Sequence, residues 1–195
     1  MTARRVVLVA VLAAIISIGF TIFGQRWLED GHNLNIKLPS LLQSSDDRLF
    51  RLPDFRLPDL EGHEIASSAW AGKVLILNFW ATWCPPCLRE MPVFADAQKK
   101  YGNLQIVGIA IDAKDEVARF VNEHPVNYPI LIGDIKAIEM SRRLGNRLQG
   151  LPFTVIFDNR GKRVHAQIGE VTQTSLEKQI APLLPKTEGA QTARN

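Results

Sequence analysis

Two residues in this 195-residue chain carry obvious redox chemistry: Cys84 and Cys87, its only cysteines, set three apart. A disulfide that serves stability normally joins distant segments, because closing a long loop removes more entropy from the unfolded chain. A bridge across so short a loop adds little. The chain, 46% hydrophobic, is also long enough to bury an ordinary core without staples. The spacing therefore points to thiol–disulfide exchange or to half of a metal site. A tetrahedral zinc site needs four ligands, and His32, His63, His124 and His165 stand singly, without ligand spacing. No metal and no separate cofactor is expected. The Cys84–Cys87 dithiol/disulfide is itself the redox group.

Exchange needs an attacking thiolate and a resolving thiol. Cys84 follows an apolar run and precedes a helical one, so it falls at a helix N-terminus, where aligned peptide dipoles stabilise a thiolate. Cys87 lies one turn further in, more buried, and able to close the bond behind the attack. The intervening residues are Pro85 and Pro86. Neither has an N–H to offer the Cys84 sulfur. Fewer donors leave the thiolate less stabilised, and a stabilised reduced form is what makes a strong oxidant. The pair is expected to act as a reductant. Trp83 flanks it, as an exposed platform or as core; Phe79 and Trp80 read as core.

The elements that must position this pair follow from hydrophobic period. Val74 to Trp80 is a nearly continuous apolar run, as in a central strand covered on both faces. A helix is expected from Pro86 to Tyr101, with prolines tolerated at its start, Pro92 kinking it and Gly102 ending it. Upstream, Phe55 and Leu57, a turn at Asp59 to Gly62, and His63 to Ile65 form a hairpin. Downstream come a buried strand from Leu104 to Ile111 and a helix capped by Asp112, with Val117, Phe120 and Val121 on one face. A short strand follows at Tyr128 to Ile132, then a helix marked by Ile135, Ile138 and Leu144 and stopped by Gly145. Phe153 to Phe157 and Arg163 to Ile168 make a hairpin around Asp158-Asn159-Arg160-Gly161. The last helix carries Leu176, Ile180 and Leu183 behind a Thr174 or Ser175 cap. This alternation predicts an α/β fold: a mixed β-sheet with helices on both faces and an N-terminal hairpin extension.

The N-terminus reads as an anchor. Arg4 and Arg5 precede an apolar run from Val6 to Phe23, about 18 residues or roughly 27 Å as a helix, enough for a hydrocarbon core. No small-x-small cleavage site follows it, which favours a retained signal-anchor over a cleaved leader. The two arginines place the N-terminus in the cytoplasm and the remainder outside, in an oxidising compartment. The expected organisation is an anchor at 1–24, a linker at 25–52, the catalytic domain at 53–184 and a polar tail at 185–195. The expected location is single-pass in the inner membrane, with the domain in the periplasm. The formal charge of +3 is scattered, with no basic stripe, so nucleic acid is a poor partner. The tether removes the need for a dimer, and a monomer is expected.

Trp80-Ala81-Thr82-Trp83-Cys84-Pro85-Pro86-Cys87, followed by Leu88-Arg89-Glu90-Met91-Pro92, resembles the active-site segment of the TlpA/ResA family of membrane-anchored thioredoxin-like proteins. The resemblance covers about residues 53 to 184. It implies a thioredoxin-like fold and periplasmic disulfide reduction, in cytochrome c maturation or copper-site assembly. It also implies roles. Asn78 stands where thioredoxin has a buried Asp and cannot titrate. Glu90, on the Cys87 face of the helix, takes over proton handling for Cys87, and burial would raise its pKa to suit that work. Pro152 is the cis-proline facing the cysteines, and the Leu151 backbone pairs with a substrate strand. Trp83, Pro85 and Pro86 complete the substrate-contacting set.

Other readings share the motif. A disulfide oxidase or isomerase uses the same spacing, and only potential and electron donor separate them. A reductase in an oxidising compartment needs recharging, and a membrane thiol donor of the DsbD/CcdA type is the expected partner beside the protein disulfide substrate. A thioredoxin-fold copper chaperone would recruit a distant histidine such as His165. A peroxidase would not pair its reactive cysteine in this way.

Overall fold

A computed structural model describes residues 50–184. The anchor segment, most of the linker and the tail lie outside the described residues. Among those described, no helix is long and apolar enough to cross a membrane.

Among the described residues, seven strands and four α-helices follow one another as β1 (Arg56–Pro58), β2 (Glu64–Ala66), β3 (Val74–Trp80), α1 (Pro85–Lys100), β4 (Leu104–Ala110), α2 (Lys114–Glu123), β5 (Ile130–Ile132), α3 (Ile135–Arg143), β6 (Phe153–Phe157), β7 (Arg163–Ile168) and α4 (Gln173–Ile180). A short 3-10 turn at Ser67–Trp70, with no sequence expectation behind it, joins β2 to β3. The N-terminal hairpin pairs Leu57 with Ile65 and forms its own two-stranded sheet. The main sheet runs in the order β5-β4-β3-β6-β7. β3 is parallel to β4 and antiparallel to β6, so the sheet is mixed. The stretch from Phe50 to Leu52, read from sequence as linker, bonds to the β6–β7 hairpin: Arg51 bridges Lys162 and Arg163 N donates to the Phe50 carbonyl at 2.6 Å.

Every residue of β3 and β4 is buried. That is why their sequences are continuous apolar runs rather than alternations. Successive side chains go to opposite faces. Ile76 and Trp80 join α1 and α4 in one core with Phe94, Leu176 and Ile180. Leu75, Leu77 and Phe79 build the second core with Ala137, Met140 and Leu144 of the α3 region. The α/β thioredoxin-like arrangement is as expected.

Several local expectations are corrected. Asp112 does not cap α2; the N-cap is Ala113, without a side-chain bond, and the Asp112 carboxylate is divided between Thr82 on Oδ2 and Ala113 N on Oδ1. The α4 cap is Thr172, which forms a reciprocal capping box with Ser175, so the cap precedes both expected positions, Thr174 and Ser175. α1 begins at Pro85 and ends at Lys100, before Gly102, and continues unbroken past Pro92. Ile135 does not face the core but stands 83% exposed; Ala137 and Met140 bury instead, and Asp134 is the α3 cap.

Candidate active site

β3 sends its C-terminal end toward the site, and a tight turn delivers the cysteines. Cys84 N donates to the Ala81 carbonyl at 3.2 Å, and Ile111 N donates to the Trp80 carbonyl at 2.8 Å. Asp112 pins the turn from the end of β4, accepting from Thr82 N at 3.1 Å and from the Thr82 hydroxyl. Cys84 is then the N-cap of α1, in extended backbone, with Pro85 and Pro86 as the first two helical residues.

The Sγ atoms of Cys84 and Cys87 are bonded, with Cα atoms 5.3 Å apart. The two prolines leave Cys87 N as the first amide donor of the helix. It donates to the Cys84 carbonyl at 3.0 Å, and Leu88 N to the same oxygen at 3.3 Å. Neither amide is left for the sulfur. The burial contrast is smaller than expected, since Cys84 is 4% exposed and Cys87 fully buried. In the disulfide state Cys84 is largely sheltered.

Glu90 lies three residues beyond Cys87 and is fully buried. Its carboxylate is held from two sides. Asn78 Nδ2 of β3 donates to Oε1 at 2.7 Å, and Val171 N of the β7–α4 loop donates to Oε2 at 2.7 Å. Asn78 Nδ2 also donates to Thr154 Oγ1 of β6 at 3.1 Å. Burial is the main influence on Glu90 and raises its pKa; the Val171 and Asn78 bonds oppose it, and the Glu170 charge adds to it. The balance lies at about 7. A carboxyl poised there can both give and take a proton near neutrality. Tyr128, buried nearby, is itself pushed up by burial and by the Glu90 charge.

The other side of the cysteine cleft is approached from β6. Phe153 pairs with Phe79, which puts the residues before β6 at the sheet end where β3 delivers the cysteines. The Leu151–Pro152 peptide is cis and Pro152 is buried. A cleft of about 430 Å³ brings together Trp83, Cys84, Pro85, Pro86 and Leu151. Trp83 is 66% exposed, so it is a platform and not core, whereas Phe79 and Trp80 are fully buried. Asn146 also lines the cleft. Its Oδ1 accepts from Gly150 N at 2.9 Å and its Nδ2 donates to the Gly150 carbonyl at 3.0 Å, holding the loop that leads into Leu151.

Sequence reasoning missed Thr154, Val171, Tyr128 and Asn146 as parts of this site. The Thr154 and Val171 contacts span 76 and 81 residues, and no local pattern marks them. His165 sits in β7 with a ring nitrogen 3.0 Å from Gln167 Oε1, and it does not line the cysteine cleft. Among the described residues, the grouping with metal-ligand side chains is Asp59, Glu61 and His63 of the β1–β2 turn, which contains neither cysteine.

Comparison with known proteins places these features in context. Residues 49–181 match the Redoxin family. The thiol-disulfide oxidoreductase ResA of Bacillus thuringiensis (strain Al Hakam) is 31% identical over 184 residues, covering 93% of this chain and 95% of that protein. A thiol:disulfide interchange protein of the thioredoxin family from Chlorobium tepidum TLS superposes with a TM-score of 0.64 at 24% identity, over 70% of this chain and 97% of that one. A secreted thiol-disulfide isomerase from Corynebacterium glutamicum superposes with a TM-score of 0.61 at 25% identity, over 68% and 84%.

Proposed function

The chain belongs to the Redoxin family and is a TlpA/ResA-like thiol–disulfide oxidoreductase; from that premise we propose that it works as a membrane-tethered reductase of protein disulfides. In its reduced state Cys84 attacks a substrate disulfide and a mixed disulfide forms. Cys87 then attacks Cys84, the Cys84–Cys87 bond closes, and the substrate leaves as a dithiol. Two electrons pass from the cysteine pair to the substrate. Glu90 takes the proton from Cys87 as it becomes nucleophilic, and Trp83, Pro85, Pro86, Leu151 and Pro152 receive the substrate segment.

The observation that carries the reducing direction is the start of α1. Two prolines remove the first N–H groups, and the next two amides are spent on the Cys84 carbonyl. The thiolate receives no amide bonds from this turn, so the reduced form is not specially stabilised and gives up its electrons readily. The apolar Val6–Phe23 run supports tethering, with the domain in the periplasm. There a membrane donor of the DsbD/CcdA type would recharge the pair, and cytochrome c precursors or copper-site proteins are the substrate classes the family resemblance suggests. The test is equilibration with thioredoxin and with glutathione. A potential near the thioredoxin value of about −270 mV is expected. A potential near that of the strong periplasmic oxidants, about −120 mV, would instead make the protein an oxidase.

A further inference from the structure

Glu90 is surrounded as an anion. Both of its oxygens face N–H donors, from Asn78 and from Val171. A protonated carboxyl has an O–H to place, and a buried O–H needs an acceptor. Neither donor can serve in its present orientation. The same Asn78 side chain holds the missing piece. Its Nδ2 spends one hydrogen on Glu90 Oε1 and the other on Thr154 Oγ1, while its Oδ1 is buried without a hydrogen-bond partner. Asn78 as a whole is 1% exposed.

We infer that Asn78 is a two-state positioning residue whose carboxamide turns end for end as Glu90 gains and loses its proton. Rotation by half a turn about the Cβ–Cγ bond exchanges Oδ1 and Nδ2 almost in place. When Glu90 is ionised, Nδ2 donates to both Glu90 Oε1 and Thr154 Oγ1. When Glu90 is protonated on Oε1, that O–H donates to Asn78 Oδ1. Thr154 Oγ1, a donor as readily as an acceptor, then donates to Oδ1 as well. Val171 N keeps its bond to Oε2 in both states.

Neither state is free of cost. The anion state buries a charge and an unpaired Oδ1; the neutral state buries an unpaired NH2. An aspartate in this place offers no such exchange, because it would add a second negative charge beside Glu90. Asparagine serves both forms of its neighbour without titrating. The exchange reaches β6, since Thr154 changes from acceptor to donor two residues beyond Pro152. The other ionisable groups that bear on Glu90 are Tyr128 ahead of β5 and Glu170, which Arg89 holds; Cys87, one turn earlier on α1, is tied up in the disulfide.

The inference rests on the proposed proton role of Glu90, and the experiment separates the two. The full chain is kept oxidised, so neither cysteine titrates. The Asn78 side-chain amide and the Glu90 carboxyl carbon are followed by NMR from pH 5 to 9. Asn78 is assigned by its loss in Asn78→Asp, or by through-space contact with Thr154 should that variant not fold. On acidification both Nδ2 protons are expected to move upfield together, with the midpoint of the Glu90 carboxyl. If only the proton facing Glu90 responds and the one facing Thr154 stays, the amide does not turn and the inference fails while Glu90 still titrates. If Glu90 shows no midpoint in this range, its proton role fails first and takes the turning amide with it.

Discussion

Arg89 and Glu170 clasp α1 to the β7–α4 loop one residue from the buried contact between Glu90 and Val171. Arg89 Nε and Nη2 both reach Glu170 Oε2, at 2.9 and 2.6 Å, and the next residues along, Glu90 and Val171, meet beneath them at 2.7 Å. The pair is partly solvated, so its own contribution to stability is about 0–1 kcal/mol. Its electrostatic reach is more specific, because the Glu170 charge raises the Glu90 pKa. Glu170→Gln is expected to change the urea midpoint little and to lower the Glu90 titration midpoint, read from the carboxyl carbon. An upward move would mean that loosening the clasp buries Glu90 further.

The raised pKa of Glu90 also sets a stability trend with a definite sign. The folded value is about 7 against an ordinary glutamate value of 4.5, so the native state holds this proton more tightly than the unfolded chain. The stability it contributes is complete below about pH 4.5 and is lost as pH rises through 7. The shift corresponds to about 3 kcal/mol. Urea titrations of the oxidised protein at pH 5 and pH 8 should show a loss of roughly this size in the wild type and little of it in Glu90→Gln. Equal losses in both proteins would assign the trend to another group.

The cysteines are expected to fail in different ways. Cys87→Ser should accumulate mixed disulfides through Cys84, seen as reducible adducts on non-reducing gels. Cys84→Ser should form few adducts, because Cys87 is fully buried at the base of the first turn. Turnover should vanish in both. Abundant adducts in Cys84→Ser would reverse the assignment of attacker and resolver.

Asp112 is expected to matter through the turn it holds. The carboxylate binds both the amide and the hydroxyl of Thr82, and bonds to a charged acceptor are worth about 1.5–3 kcal/mol. Asp112→Ala should destabilise the domain by about 2 kcal/mol and slow reduction by displacing Trp83 and Cys84. Denaturant unfolding and steady-state reduction of insulin measure the two effects. An unchanged reduction rate in a destabilised variant would confine Asp112 to a structural role.

The parts of this fold written in short-range pattern were legible. β3 and β4 announce themselves as unbroken apolar runs, and Cys84, Pro85, Pro86 and Cys87 carry their chemistry in their spacing. The resemblance to thioredoxin-like proteins singled out Glu90, Leu151 and Pro152, and the structure gathers them near the cysteines. What no local pattern supplied is the set of partners brought by tertiary contact. Asp112 has the look of a helix cap, and propensity alone cannot tell that Thr82, 30 residues earlier, claims its carboxylate. Ile135 fits a helical apolar stripe, yet the stripe that buries is Ala137, Met140 and Leu144. Thr154 and Val171 carry no mark of their own, because one acts through a hydroxyl on a central strand and the other through its backbone.

The long separations in the Glu90 contacts bear on how the protein comes into being. A chain emerging with its N-terminus first presents Cys84 and Cys87 well before Val171 exists to meet Glu90, 81 positions later. During that interval Glu90 lacks the Val171 amide that faces its carboxylate in the folded protein. If Glu90 is the proton acceptor proposed above, full reducing capacity waits on synthesis and docking of the segment that carries Val171.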